Sequence, residues 1–351
     1  MAIEAGVLAS WLGVVSQGMS LCGVEPGRLL EYRGLEQQGL VPKGFNWGGG
    51  HERVSQRLLS QMLVKGRQLS QREDFILVVA KQVRPPSWYA LGFAIWASSS
   101  LLQALELLRD YVRVFADAYQ VELQLEQDQL RLQIGGVPGL ADALTELDWQ
   151  LLAATIALTV RHLHPQRLRP TQAALPGQPP STESVKQSWQ RVMGSQLLWQ
   201  SAQGVELVYP LTALQQPLSG ADPQLQRIHL NLLQAYLAQL DTQYWGKRLY
   251  LALLQQSQWP RNLQAQVAPL LGTSRRTLQR RLQQEGLSFQ QIADQARYAL
   301  ACRYLQEARL SMGEISYQLG FANTANFYRA FRRWSGLAPG AYQSLRQRIQ
   351  G

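Results

Sequence analysis

Apolar residues recur every three to four positions over most of the chain, and the spacing changes to strict alternation near the middle. In the first half the helical recurrence predicts helices over 6–21, 25–30, 52–64, 71–82 and 100–117. Residues 121–125 and 130–134 alternate apolar and polar around Glu126-Gln127-Asp128-Gln129, the pattern of a β-hairpin. A helix over 146–164 follows, then a stretch broken by prolines, a helix over 183–193, and strand-like runs at 197–200 and 205–208. Residues 1–220 therefore read as an α+β domain with an antiparallel sheet. Pro217 to Pro223 breaks the pattern, and 225–240 is helical again, with Leu230, Leu233, Leu237 and Leu240 at spacings of 3, 4 and 3. A stripe of that length fits a homodimer seam or docking on one of the domains. The segment 221–243 is thus a linker helix, and 244–351 is predicted to be wholly helical.

Within that last stretch, a short helix containing Val267, Leu270 and Leu271 ends at Gly272, which permits a left-handed backbone. Ser274 can cap the next helix, which turns Leu278 and Leu282 inward. Ala268 is small where the two helices cross. This is a helix-turn-helix layout, whose second helix enters the major groove. Arg276, Gln279 and Arg280 share the face opposite the leucines, and these side-chain types can bond guanine and adenine edges. Arg275, Thr277 and Arg281 flank that face and suit phosphates. The layout recurs: a helix closed by Gly320 leads to a second one with Phe327 and Phe331 inward. Thr324, Ala325, Tyr328 and Arg329 then face a groove, and Arg332 and Arg333 suit phosphates. Residues 289–308 join the units as one helix with Phe289, Ile292, Ala296, Ala299, Leu300 and Tyr304 on its buried side. Its length of about 30 Å nearly matches the ~34 Å turn of B-DNA, so one chain can address consecutive major grooves, with some bending of the duplex.

Charge sharpens this picture. The net charge is +10, with 34 Lys plus Arg against 24 Asp plus Glu. From Trp245 onward there are 15 basic and 4 acidic residues, and 14 of the 15 are Arg. The preceding 244 residues are close to neutral, so the whole excess sits on the helix-turn-helix region, which points to double-stranded DNA.

Residues 245–343 resemble the DNA-binding domain of the AraC/XylS family of transcription regulators. The resemblance is carried by Ser274-Arg275-Arg276-Thr277-Leu278-Gln279-Arg280-Arg281-Leu282, and then by Gly320-Phe321, Phe327, Arg329, Phe331, Gly336, Pro339 and Tyr342. Family members place Arg after that Tyr. This chain has Gln343, which implies one phosphate contact fewer. The first half is similar to the arabinose-binding-like effector domain of one branch of the family. Here the matching features are Leu91-Gly92-Phe93-Ala94, Ser98-Ser99-Ser100-Leu101, and Leu211 and Leu214 ahead of Pro217 to Pro223. The resemblance implies an activator that contacts RNA polymerase and is modulated by a small-molecule effector.

The sequence does not identify the effector's contacts. Seven tryptophans (Trp11, Trp47, Trp88, Trp96, Trp149, Trp189 and Trp199), the loop from Phe45 to His51, and Trp88-Tyr89 after two prolines are aromatic-rich segments that suit a core as well as a pocket. His162 and His164 are explained by the dipole at a helix end. An N-terminal half serving only dimerisation or protein contact is an alternative. An enzyme fused to a DNA-binding domain is another, but Cys22 lacks a neighbouring base or cation in sequence and Cys302 looks like packing. Two cysteines make neither a disulfide framework nor a metal cluster, so no cofactor is expected. No run reaches the roughly 18 apolar residues of a membrane span. The N-terminus lacks the positive segment of a signal peptide, so a cytoplasmic, nucleoid-associated protein is expected.

Overall fold

The computed structural model describes residues 3–25, 52–194, 196–201, 204–256, 258–260 and 262–350. The chain packs as two units, one spanning Glu4–Leu237 and the other Ala238–Gly351 together with Ile3.

In the first unit β1 (Gly6–Leu8) pairs antiparallel with β2 (Arg53–Ser55). The helices expected over 6–21 and 52–64 each give up their first residues to this ribbon, and α1 spans Ser10–Leu21 and α2 Gln56–Ser70. The reason is a long-range pairing that helical periodicity cannot register. Arg53 is buried, forms an ion pair with Asp117 at 3.0 Å and donates to the carbonyls of Gly6 and Val114. The Asp117 carboxylate in turn accepts from the Gly6 N–H at 3.0 Å. Ser55 caps α2 by accepting from the Arg57 N–H.

The helix expected over 71–82 shortens to α3 (Phe75–Ala80), because Gln71 ends α2 in the left-handed region with φ of 53°. A 3-10 turn over Pro85–Trp88 and a short α4 (Ala90–Trp96) follow, neither of them predicted. Next comes α5 (Leu101–Phe115), capped by Ser100. Of the helix expected over 25–30 only Glu25 is described, outside regular structure, and the 45–51 loop lies outside the described residues.

The sheet has five strands: β3 (Tyr119–Glu126), β4 (Gln129–Gly136), β5 (Gln172–Pro176), β6 (Gln196–Gln200) and β7 (Val205–Pro210), in the order β3-β4-β7-β5-β6. The expected hairpin is there, in register from Tyr119 opposite Gly136 to Glu126 opposite Gln129. Pairings are antiparallel apart from β5 with β6. β5 falls in the proline-broken stretch and is held by burial of Ala173 and Leu175. Helix α6 (Glu146–Leu163) packs on β5 and β7, and α7 (Glu183–Met193) packs on α6 and β6. Trp11, Trp149 and Trp189 are fully buried core residues, and Trp88 joins Trp11 and Phe115 in one ring cluster. His164 is buried at the end of α6, where its Nδ1 accepts from the Gln166 N–H.

After α8 (Leu211–Leu214), α9 (Pro223–Gln243) runs from the first unit into the second. Its leucine stripe is turned inward: Leu233 and Leu240 are buried, and Leu230 and Leu237 half-buried. The second unit is helical throughout, with α10 (Trp245–Leu254), α11 (Leu263–Leu270), α12 (Arg275–Gln284), α13 (Phe289–Glu307), α14 (Met312–Gln318), α15 (Thr324–Ser335) and α16 (Pro339–Gln350).

Candidate nucleic-acid interface

In the first helix pair, α11 buries Leu263, Val267 and Ala268, and Leu271 just past its end continues that face. At 100° per residue these positions span one arc. Leu270 lies at its edge, about 20° beyond Leu263, and is 63% exposed, so it is not part of the buried face where the spacing placed it. Gly272 has φ of 65° and closes the helix. Ser274 accepts from the Thr277 N–H at 3.1 Å and donates to its hydroxyl at 3.0 Å, so Thr277 belongs to the cap. With Leu278 and Leu282 buried, α12 carries Arg275, Arg276, Gln279, Arg280 and Arg281 on its exposed side. None of these five side chains has a hydrogen-bond or ion-pair partner among the described residues.

The second pair repeats the construction with different materials. Ser311 and Glu314 form a capping box at the start of α14, and Gly320 closes it with φ of 73°. Asn323 caps α15 by accepting from the Asn326 N–H at 2.9 Å. Phe327 and Phe331 are fully buried and meet edge to face. Thr324, Ala325, Tyr328 and Arg329 are exposed, and Arg329 donates to the side-chain Oδ1 of Asn326. Arg332 is exposed and has no partner among the described residues, whereas Arg333 pairs with Asp294 on α13 at 3.1 Å.

Both pairs are built onto α13, whose 19 residues make a span of about 28 Å. Its Ile292, Ala296, Ala299 and Leu300 are buried as the spacing predicts, while Phe289 and Tyr304 are half-buried. Three residues that sequence reasoning missed hold this frame. The Glu285 carboxylate accepts from the Trp245 and Gly246 N–H groups and caps α10. The Trp259 backbone N–H donates to the Gln318 carbonyl at 2.9 Å. Arg297 donates to the Leu319 carbonyl at 3.1 Å, with its guanidinium over Trp259 and Phe321 at 4.8 and 5.5 Å. Burial lowers the pKa of Arg297.

Trp259 and Arg297 pin the turn of the second pair, Arg297 from the connecting helix. Arg297 therefore drops out of the cations available to DNA, although the charge count included it. Gln343 also faces the protein, donating to the Leu305 carbonyl at 3.1 Å. Its position ties α16 to α13, so a phosphate role there does not follow from the family comparison.

Residues 267–344 match a family model described as a helix-turn-helix domain. Residues 23–218, more than half of the chain, match the arabinose-binding domain of AraC transcription regulator, N-term. The chain belongs to the AraC family of transcription regulators. An ornithine utilization regulator of Pseudomonas aeruginosa is 29% identical over 272 residues, which is 76% of this chain and 77% of that one. The regulator VqsM of the same species is 33% identical over 132 residues, 36% of this chain and 40% of its own. The crystal structure of the transcriptional regulator CdpR from Pseudomonas aeruginosa covers 90% of this chain and 97% of its own, at 20% identity and a TM-score of 0.42. As an AraC-family member the chain is a DNA-binding transcription regulator with an N-terminal domain of the effector-binding type. Among its described residues no helix is long and apolar enough to cross a membrane, and no three metal-ligating side chains cluster.

Proposed function

We propose that this AraC-family chain is a sequence-specific activator whose DNA binding or activation is modulated by a small molecule held in the N-terminal unit. Helix α12 reads bases through Arg276, Gln279 and Arg280, while Arg275, Thr277 and Arg281 hold phosphates. Helix α15 lies in the next groove with Thr324, Ala325, Tyr328 and Arg329 toward the bases and Arg332 and Arg333 toward the backbone. The observation that carries this reading is the row of five polar side chains on α12 that find no partner among the described residues. A folded helix exposing unpaired guanidinium groups opposite buried leucines is ready for phosphates and base edges. Arg333 contributes less, because it must first leave Asp294.

Regulation follows from population shift: a ligand that favours one arrangement of the chain over another changes DNA occupancy by that difference in affinity. The protein does this in the bacterial cytoplasm on the nucleoid, recruits RNA polymerase, and performs no catalysis. Two copies on paired half-sites gain avidity through effective concentration, and sedimentation of the free protein counts the copies.

Selection of bound duplexes from a randomised library tests the DNA reading. The expected product is two short constrained blocks about one helical turn, roughly 10 base pairs, apart. Recovery of unconstrained sequence at the same affinity would remove the base-reading role.

A further inference from the structure

Helix α4 and the turn that leads into it separate two sets of neighbours. On one side Trp88, Gly92, Ile95 and Trp96 line a cleft with an inner void of about 30 Å³, whose other walls come from α5 and α6 and include Leu105 and Thr159. Trp96 and Thr159 are half-buried at its mouth. On the other side the same segment seats α9. The Tyr89 ring lies 5.3 Å from Tyr236, and Phe93 stacks on His229 at 4.9 Å. Gln226 donates to the Ser98 hydroxyl at 3.1 Å and to the Ala94 carbonyl at 3.4 Å. The wall of the cavity is therefore also the seat of the helix that continues toward the DNA-binding unit.

The lining carries one hydroxyl, from Thr159, and no charged side chain. A void of that size corresponds to about one water's share of liquid, and apolar walls keep it dry. Benzene enters an apolar void of about 150 Å³, so full enclosure of a ring here requires a wall to move. Helices α5 and α6 are long and deeply packed, whereas α4 has seven residues. It is entered through Tyr89, whose φ of 54° and ψ of −142° strain a bulky residue. A Cβ on Gly92 would come within 2.0 Å of the Pro85 carbonyl, so α4 and its leading turn are packed as one piece.

We propose that this cavity is the effector site and that its ligand is a small neutral apolar molecule, about one aromatic ring in size, with at most one polar group meeting Thr159. Entry of the ligand displaces α4 and with it the contacts that seat α9. The inference rests on the effector reading above, and it narrows the effector to uncharged molecules.

Benzene and phenol are the probes, added to the full-length protein and followed by tryptophan fluorescence and by NMR. Both are expected to bind saturably. Ala104→Leu, which fills the cavity, weakens both by about tenfold or more. Thr159→Val weakens phenol but not benzene, by about two- to tenfold, and serves if Ala104→Leu fails to fold. Phenol shifts the DNA affinity of the wild type. Phe93→Ala, which touches α9 and not the cavity, binds phenol as before and loses that shift.

Saturable binding that ignores both Ala104→Leu and Thr159→Val overturns the site, and an unchanged DNA response in Phe93→Ala overturns the coupling. A wild type that binds neither probe but answers to a charged metabolite overturns the cavity and keeps the effector reading. DNA affinity that responds to no metabolite fraction overturns the effector reading itself.

Discussion

Replacing Gln279 by alanine separates base reading from charge, because the residue is neutral and its side chain has no partner among the described residues. It is exposed on α12 beside the fully buried Leu278. Truncation therefore changes folding stability by no more than about 0.5 kcal/mol, and any loss of DNA affinity belongs to the interface. A bidentate contact to a base contributes about 1–3 kcal/mol of discrimination, which is about 5- to 150-fold on the selected site. The salt dependence should not change, since no counterion is involved.

Arg281→Ala is the companion variant. It removes one phosphate partner, so cognate and unrelated duplexes weaken alike, and the slope of log affinity against log salt falls by about 0.9. Fluorescence anisotropy on both duplexes between about 50 and 200 mM salt reads both quantities. Equal loss of cognate and unrelated binding in Gln279→Ala, or a changed salt slope, would refute the assignment of Gln279 to a base edge.

The two turn glycines should respond differently to alanine. Gly272 has open space around a Cβ, so only the left-handed backbone opposes the change, at about 1–2 kcal/mol. At Gly320 the new Cβ would also lie 2.6 Å from the Trp259 carbonyl, so thermal unfolding should show a distinctly larger loss there. Asp117→Ala strands the buried Arg53 and should cost about 3–5 kcal/mol in denaturant unfolding. The Arg53→Met, Asp117→Ala double variant should recover much of that loss.

Glu73 accepts hydrogen bonds from the Ser181 N–H and hydroxyl and from the Thr182 N–H, which hold its pKa at about 2 against an ordinary 4.5. A depressed folded-state pKa gives stability that is complete above the unfolded value and is lost as pH falls through the folded one. The stability difference between the wild type and Glu73→Gln should therefore be constant above about pH 5 and shrink toward pH 2. A pH-independent difference would deny the carboxylate that role.

Legibility differed between the two units for a physical reason. The helix-turn-helix pairs are built from contacts a few residues apart: Ser274 to Thr277, Leu278 to Leu282, Gly320 to Phe327. Spacing and residue type along the chain carry such contacts directly, and the Arg-rich exposed face was readable from the same spacing. The sequence by itself also determined the β3–β4 hairpin, whose partners are joined by a tight turn.

What it left open depends on residues far apart. The β1–β2 ribbon needs Arg53 and Asp117, 64 positions apart, to bury each other's charge. β5 exists only because β7 and β6 supply its hydrogen bonds. Which cations face solvent was likewise a tertiary outcome, since Arg297 and Arg333 are as basic as Arg280 but are claimed by Trp259, Phe321 and Asp294. The inward turn of the α9 leucines and the cavity behind α4 belong to the same class. They are decided by which surfaces exclude water together, and local periodicity cannot rank those choices.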